Sequence, residues 1–260
     1  MYNINDLMIG RSLDRYGEWC ESELALLSPL LRPGRVVIDV GANIGTHTVY
    51  FAKQVGEQGR VYAFEPQRPT FQLLCGNVAL NALVNAYCLP YAVGREDTDQ
   101  RIAVADPRAP FNFGAMPILA ATTGESVRFV RIDSLNLPRC DLIKIDVEGM
   151  EGDVIAGAHA TIERFRPVIY CENNKAASSP ALIEMVQSLG YRAWWHIANY
   201  YNADNFFGET ENVFAQIAPE ANMFCAPPNA KIVVQSLEPV SGPDDNWIKA
   251  RERILRRRAG

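Results

Sequence analysis

Val36-Val37-Ile38-Asp39-Val40 is an apolar, mostly β-branched run around one acid, and Gly41-Ala42-Asn43-Ile44-Gly45 breaks it abruptly. A run of this kind reads as a buried strand of a parallel sheet, and the helical spacing over residues 44–55 places a helix directly after the turn. A strand that turns at a glycine and feeds a helix opens a ligand crevice in an α/β fold. Gly41 lets the backbone leave the strand in a conformation that side chains disfavour, and Gly45 lets a ligand or a facing strand approach the helix start. The first-turn N–H groups of that helix are free to meet a polar or anionic ligand.

Spacing narrows the ligand. A dinucleotide fingerprint has glycines at its first, third and sixth places, whereas Gly41, Asn43 and Thr46 stand there and the second glycine is Gly45. The row from Asp39 to Gly45, acidic-x-Gly-x-Asn-x-Gly, resembles the first motif of class I S-adenosylmethionine-dependent methyltransferases. In that family the loop holds the methionine part of the cofactor. A βα turn without a ligand would need the same glycines, so a second signal is required. It comes about twenty residues on, where Arg60-Val61-Tyr62-Ala63-Phe64 ends at Glu65-Pro66. A carboxylate at a strand's C-terminal end can accept both hydroxyls of a ribose. An NAD enzyme would carry the same acid, and a solvated glutamate would look alike in sequence.

With 260 residues, 48% of them hydrophobic, the chain can build one α/β domain with a substantial core. A net charge of −5 argues against a nucleic-acid binder. The six cysteines include no C-x-x-C pair, which fits reduced thiols in the cytoplasm rather than zinc or disulfides. Neither a basic-then-apolar leader nor a membrane-length apolar run is expected from the pattern.

Residues 1–34 read as a helical, lid-like segment, with a helix over 24–31 behind Trp19. The central domain is expected over 35–230, with insertions at 95–126 and 197–221, followed by an extension over 231–260. A helix over 70–83 and a strand over 86–89 precede Tyr91-Ala92-Val93-Gly94, where Ala92 and Val93 could flank an adenine. The first insertion, with Pro107, Pro110, Pro117, Phe111 and Phe113, reads as irregular or hairpin structure before a strand at 127–132. Cys140-Asp141-Leu142-Ile143-Lys144-Ile145-Asp146-Val147-Glu148-Gly149-Met150-Glu151 places Lys144 and Asp146 on one strand face, then Glu148 and Glu151 at the start of a helix reaching about residue 164. Asp146 is left facing the crevice above the sheet, where open α/β folds bind ligands. The strand 167–173 ends in the same way at Glu172, and another, 191–196, ends at His196. The loop 197–221 interleaves asparagines with Tyr200, Tyr201, Phe206 and Phe207, a mixture suited to sugars or planar polar ligands as well as to packed turns. After a last strand at 223–226, the arginines at 251, 253, 256, 257 and 258 suit a basic, solvated helix.

Taken together, Tyr16-Gly17-Glu18-Trp19, Val37-Ile38-Asp39-Val40-Gly41-Ala42-Asn43-Ile44-Gly45, Ala63-Phe64-Glu65-Pro66, Lys144-Ile145-Asp146-Val147-Glu148-Gly149-Met150-Glu151 and Asn222-Met223-Phe224-Cys225 resemble the FkbM family of S-adenosylmethionine-dependent methyltransferases. The Lys-Ile-Asp-Val-Glu-Gly-x-Glu string is specific, the glycine loop alone is not, and Phe51 stands where the family commonly has an aliphatic residue. The resemblance implies a Rossmann-like α/β fold, a seven-stranded, mostly parallel sheet with one antiparallel strand near its edge and helices on both faces. It also implies O-methyl transfer to a sugar, glycan or polyketide-like acceptor. The expected cofactor residues are Asp39, Gly41, Ala42, Asn43, Gly45, Glu65, Pro66, Ala92, Val93 and Asp146. Asp146 is the first candidate base for the acceptor hydroxyl, His196 the second, and His47 looks worse placed. No metal is assigned; Asp146, Glu148 and Glu172 carry the oxygens Mg²⁺ prefers, yet such acids can equally bind substrate or a cofactor amine. An NAD-dependent sugar oxidoreductase and a non-catalytic cofactor-binding protein are the other readings.

Overall fold

A computed structural model describes every residue except 117, 119, 120, 231, 233, 235 and 260. Pro117 of the first insertion and the side chain of Arg258 thus lie outside the described residues. The chain begins with α1 (Ile9–Tyr16) and α2 (Glu21–Leu27), the latter ending in a tight turn at Ser28–Leu30 where a longer helix was expected. Pro29 cannot supply the N–H that would extend it. Then strand and helix alternate: β1 (Val36–Val40), α3 (Thr46–Val55), β2 (Arg60–Phe64), α4 (Arg68–Leu80) and β3 (Ala86–Leu89). Helix α3 starts two residues later than its apolar spacing predicts, because Asn43 and Gly45 take left-handed backbone angles (φ 50° and 88°).

A small second sheet brackets the first insertion. Strands β4 (Ala92–Val93), β5 (Thr98–Ile102) and β6 (Glu125–Val130) lie in the order β4-β6-β5, with β5 and β6 antiparallel. The main sheet resumes at β7 (Leu142–Ile145), followed by α5 (Glu151–Gly157), α6 (His159–Phe165), β8 (Val168–Glu172) and α7 (Ser179–Ser188). The single helix expected up to about residue 164 is two, interrupted at Ala158, and Glu148 (φ 54°) precedes both. β9 (Arg192–Ala198), β10 (Glu220–Ala226), β11 (Glu238–Pro239) and α8 (Trp247–Ala259) complete the chain.

Eight strands lie in the order β11-β9-β10-β8-β7-β1-β2-β3. β10 is antiparallel to both its neighbours, and the two-residue β11 adds an antiparallel edge to the seven strands anticipated. Winding reverses between β1 and β7: β2 and β3 follow on one side, β8 on the other. Open α/β sheets bind ligands above such a reversal. Every residue of β1, β7 and β8 is buried, because helices cover both faces. One face carries Val37, Tyr170 and Phe224 against Leu24, Leu27, Phe51 and Val55 of α2 and α3. The other carries Ile38, Ile143, Ile145 and Ile169 against Val154, Ile162, Ile183 and Val186 of α5, α6 and α7. No helix among the described residues is long and apolar enough to cross a membrane.

Candidate functional site

The turn after β1 is fixed by contact as much as by conformation. Gly41 has φ 76°, and a Cβ there would lie 1.8 Å from the backbone oxygen of Asp146, so only glycine lets the ends of β1 and β7 close together. Its N–H and that of Ala42 donate to the Phe64 carbonyl at 3.0 and 2.9 Å, which ties the loop to β2. Gly45 has a different neighbour from the ligand expected: a Cβ would come within 2.7 Å of Leu74 Cδ1 on α4, and the residue does not line the cavity above the sheet.

That cavity, about 260 Å³, opens at the C-terminal ends of β1, β2 and β7. Gly41, Ala42 and Asn43 wall it beside Glu65 and Pro66, Ala92 and Val93 border it, and Asp146 and Lys144 face it from β7 and the turn beyond. Glu65 is 6% exposed; its carboxylate accepts from Asn43 N–H at 3.1 Å and Gln67 N–H at 2.8 Å. Burial nonetheless pushes its pKa up to about 7, outweighing both bonds. Asp39, expected as a cofactor residue, is fully buried beneath the loop and outside the cavity wall. It accepts from Thr48 Oγ1 at 2.6 Å and lies 3.6 Å from Lys144 Nζ, which is 3.3 Å from Asp146. Burial works against the Lys144 charge, but Asp146, Asp39 and Glu23 prevail and raise its pKa. Asp39 therefore anchors Lys144, and Lys144 orients Asp146.

The histidines exchange places relative to the sequence reading. β9 runs on through Ile197 and Ala198, so His196 is inside the strand, opposite Asn222. Its Nδ1 is 2.8 Å from the Tyr170 hydroxyl, burial lowers its pKa, and it does not line the cavity. His47 does line it. Its Nε2 is 3.1 Å from Glu23 on α2, an electrostatic contact without hydrogen-bond alignment. Burial disfavours the Glu23 charge, yet His47 and Lys144 hold its pKa below the usual carboxylate value, and Asn222 Nδ2 donates to it at 2.9 Å.

A second group of acids occupies the far side. Oxygens of Asp146, Glu172 and Glu220 lie within 4.8 Å of one another. Glu148, grouped with the first two by sequence, is instead paired with Lys175 at 3.0 Å. Burial and then Asp146 and Glu220 push Glu172 up to about 11, and burial with Asp146 and Glu23 pushes Glu220 up to about 8. Tyr200 donates its hydroxyl to Glu220, and its ring stacks on Trp19 with centroids 5.3 Å apart. Glu220 escaped the sequence reading because β10 was started at Met223. The alternation Glu220-Ala221-Asn222-Met223-Phe224 was the signal that would have extended it.

The methyltransferase FkbM domain pattern matches residues 39–193. A protein named Methyltransferase 1 from Beauveria bassiana is 27% identical over 144 residues, covering 46% of this chain and 57% of that one. The hexuronic acid methyltransferase AglP of Haloferax volcanii is 29% identical over 166 residues, 62% of this chain and 64% of its own length. The chain thus spans about three fifths of the curated relatives it matches. Among solved structures, precorrin 8w decarboxylase from Methanobacterium thermoautotrophicum superposes with a TM-score of 0.50 at 11% identity, over 87% of this chain and 98% of that one, a likeness of fold alone.

Proposed function

The chain belongs to the FkbM methyltransferase family, and from that footing we propose that it is an S-adenosylmethionine-dependent O-methyltransferase acting on a hydroxyl of a sugar or glycan. The observation that carries the reading is one cavity, at the reversal of the sheet, walled by the Gly41 turn, Glu65 and Asp146 together. The residues suit the cofactor. Glu65 is a carboxylate on the cavity wall whose proton affinity is raised by burial, and ribose hydroxyls donating to its free lone pairs would offset that burial. The Gly41 turn takes the methionine end, and Ala92 and Val93 offer small apolar walls to the adenine.

Held by the Gly41 turn and Glu65, S-adenosylmethionine would supply a methyl group on a sulfonium, to be exchanged for the proton of the acceptor hydroxyl. The protein's part is to align the acceptor oxygen and take its proton. Asp146, oriented by Lys144, is the first candidate for the proton acceptor, and His47, backed by Glu23, the second. Trp19 and Tyr200 supply an aromatic wall of the kind that stacks on sugar faces. The hexuronic acid methyltransferase relative supports a saccharide acceptor.

Calorimetric titration with S-adenosylmethionine, with NAD as comparison, followed by transfer of labelled methyl to a panel of saccharides, tests the proposal. Binding of the cofactor but not NAD, with label entering an ether, is the expected result. Binding of NAD alone would sink it.

A further inference from the structure

The C-terminal edge of the sheet gathers more negative charge than cofactor binding uses. Asp146 follows β7, Glu172 ends β8 and Glu220 begins β10. Because β10 runs antiparallel, with Asn222 opposite Glu172, its first residue is delivered to the same edge as the last residues of its neighbours. Lys175 is engaged with Glu148, and Lys144, shared between Asp39 and Asp146, forms no ion pair with Glu172 or Glu220 among the described residues. A separate observation concerns Glu172 itself. It is 2% exposed and lines the cavity, and its Oε2 has no hydrogen-bond partner among the described residues, Asn174 donating only to Oε1. A buried carboxylate oxygen without a donor is costly. What faces it is two more carboxylates, whose oxygens converge on it to within 4.8 Å, and a bound cation would satisfy all three.

We propose that Asp146, Glu172 and Glu220 form a site for a divalent cation of the Mg²⁺ or Mn²⁺ class. The donors are all carboxylate oxygens, which such hard ions prefer to Zn²⁺-type nitrogen and sulfur sets. Adjacent oxygens around Mg²⁺ are about 3 Å apart, so side-chain rotations suffice to close the group from its present spread of up to 4.8 Å. Water and the acceptor hydroxyl would fill the remaining positions, and a bound cation lowers the proton affinity of a coordinated hydroxyl. That role rests on the transferase reading above; binding of the ion does not.

The test uses the whole chain, freed of metal by dialysis and titrated with Mn²⁺, with free Mn²⁺ read by electron paramagnetic resonance and Tm read in parallel. One ion per chain and a rise in Tm are expected. Glu172→Gln and Glu220→Gln keep shape but remove charge. Each should weaken Mn²⁺ binding at least about tenfold and remove the Mn²⁺-dependent rise in Tm. Absence of Mn²⁺ binding, or affinity unchanged in both variants, overturns the site. So does expulsion of Mn²⁺ by S-adenosylmethionine, which would give the carboxylates to the cofactor's ammonium. Cofactor affinity measured on the same samples keeps the two readings apart: cofactor bound without Mn²⁺ removes only the cation, and Mn²⁺ bound without cofactor removes only the transferase reading.

Discussion

At Glu65 burial sets a titration in the neutral range, and the direction of its effect can be worked out. Its pKa is raised from 4.5 to about 7 in the folded chain, so the protonated form is favoured there. Its contribution to stability is present at low pH and is lost as pH rises from 4.5 towards 7. Ribose hydroxyls donate to the ionised form, so cofactor binding opposes this and releases a proton below neutrality. At pH 6 roughly a tenth of Glu65 is ionised, and S-adenosylmethionine is expected to bind about tenfold more weakly than at pH 8. Glu65→Gln should flatten that dependence and cost roughly tenfold to a hundredfold in affinity at pH 8. Calorimetry in buffers of different ionisation enthalpy measures both, and an equally steep profile in the variant would refute the ribose assignment. Asp146 and His47 divide the other residue-scale question. If Asp146 takes the proton, Asp146→Asn keeps the fold and much of the cofactor affinity but loses about 10²–10⁴ in turnover. A silent Asp146→Asn beside an inactive His47→Gln would move the role to the histidine. His196→Ala, off the cavity and bonded to Tyr170, should act on Tm first.

Among the elements, the junction of β1 with β7 is the one that glycine alone permits. Gly41→Ala places a methyl 1.8 Å from the Asp146 carbonyl at a φ that alanine disfavours, so the two strand ends must part. The expected cost is about 1–3 kcal/mol, or a fall in Tm on the order of 2–10 °C for a chain of this size, with cofactor affinity falling as well. Thermal unfolding and calorimetry would count against the tight junction if both stayed at wild-type values. This junction was legible in the sequence because a β-branched run, a glycine turn and a helical period follow one another within about twenty residues. Glu65 and Asp146 were legible on the same ground, each standing just past a recognisable strand. What was not legible depended on pairing between distant segments. Glu220 joins Glu172 only because β10 inserts between β8 and β9, and Glu23 meets His47 only because α2 packs beside α3. His196 was misplaced because the strand does not stop at its polar residue; pairing with β10 carries it on to Ala198.

Over the whole molecule, the cavity is walled by the strand ends of the sheet, the first insertion around Phe113, the N-terminal segment and the loop between β9 and β10, and the last two form one structure. The N-terminal segment and the loop between β9 and β10 are joined through Arg15 to Glu209 and Glu211, Tyr16 Oη to the Glu211 carbonyl at 2.9 Å, and Asn202 to Glu18 at 2.9 Å. Trp19 and Tyr200 project from this joint to the cavity, whereas the Gly41 turn and Glu65 belong to the sheet. On the proposed reading, acceptor and cofactor contacts therefore fall on separable parts of the fold. Trp19→Ala removes the ring without touching the sheet, so the KM for the acceptor should rise on the order of tenfold, equivalent to about 1.5 kcal/mol of lost ring contact. The affinity for S-adenosylmethionine should stay within about twofold, because additivity holds between sites that share no partners. Tyr200→Phe is the companion change: it keeps the stacking ring but takes the hydroxyl from Glu220, so acceptor KM should move less than in Trp19→Ala. Steady-state kinetics with each substrate varied in turn separates the two parameters. Weakened cofactor binding at unchanged acceptor KM in Trp19→Ala would assign the aromatic wall to the cofactor instead.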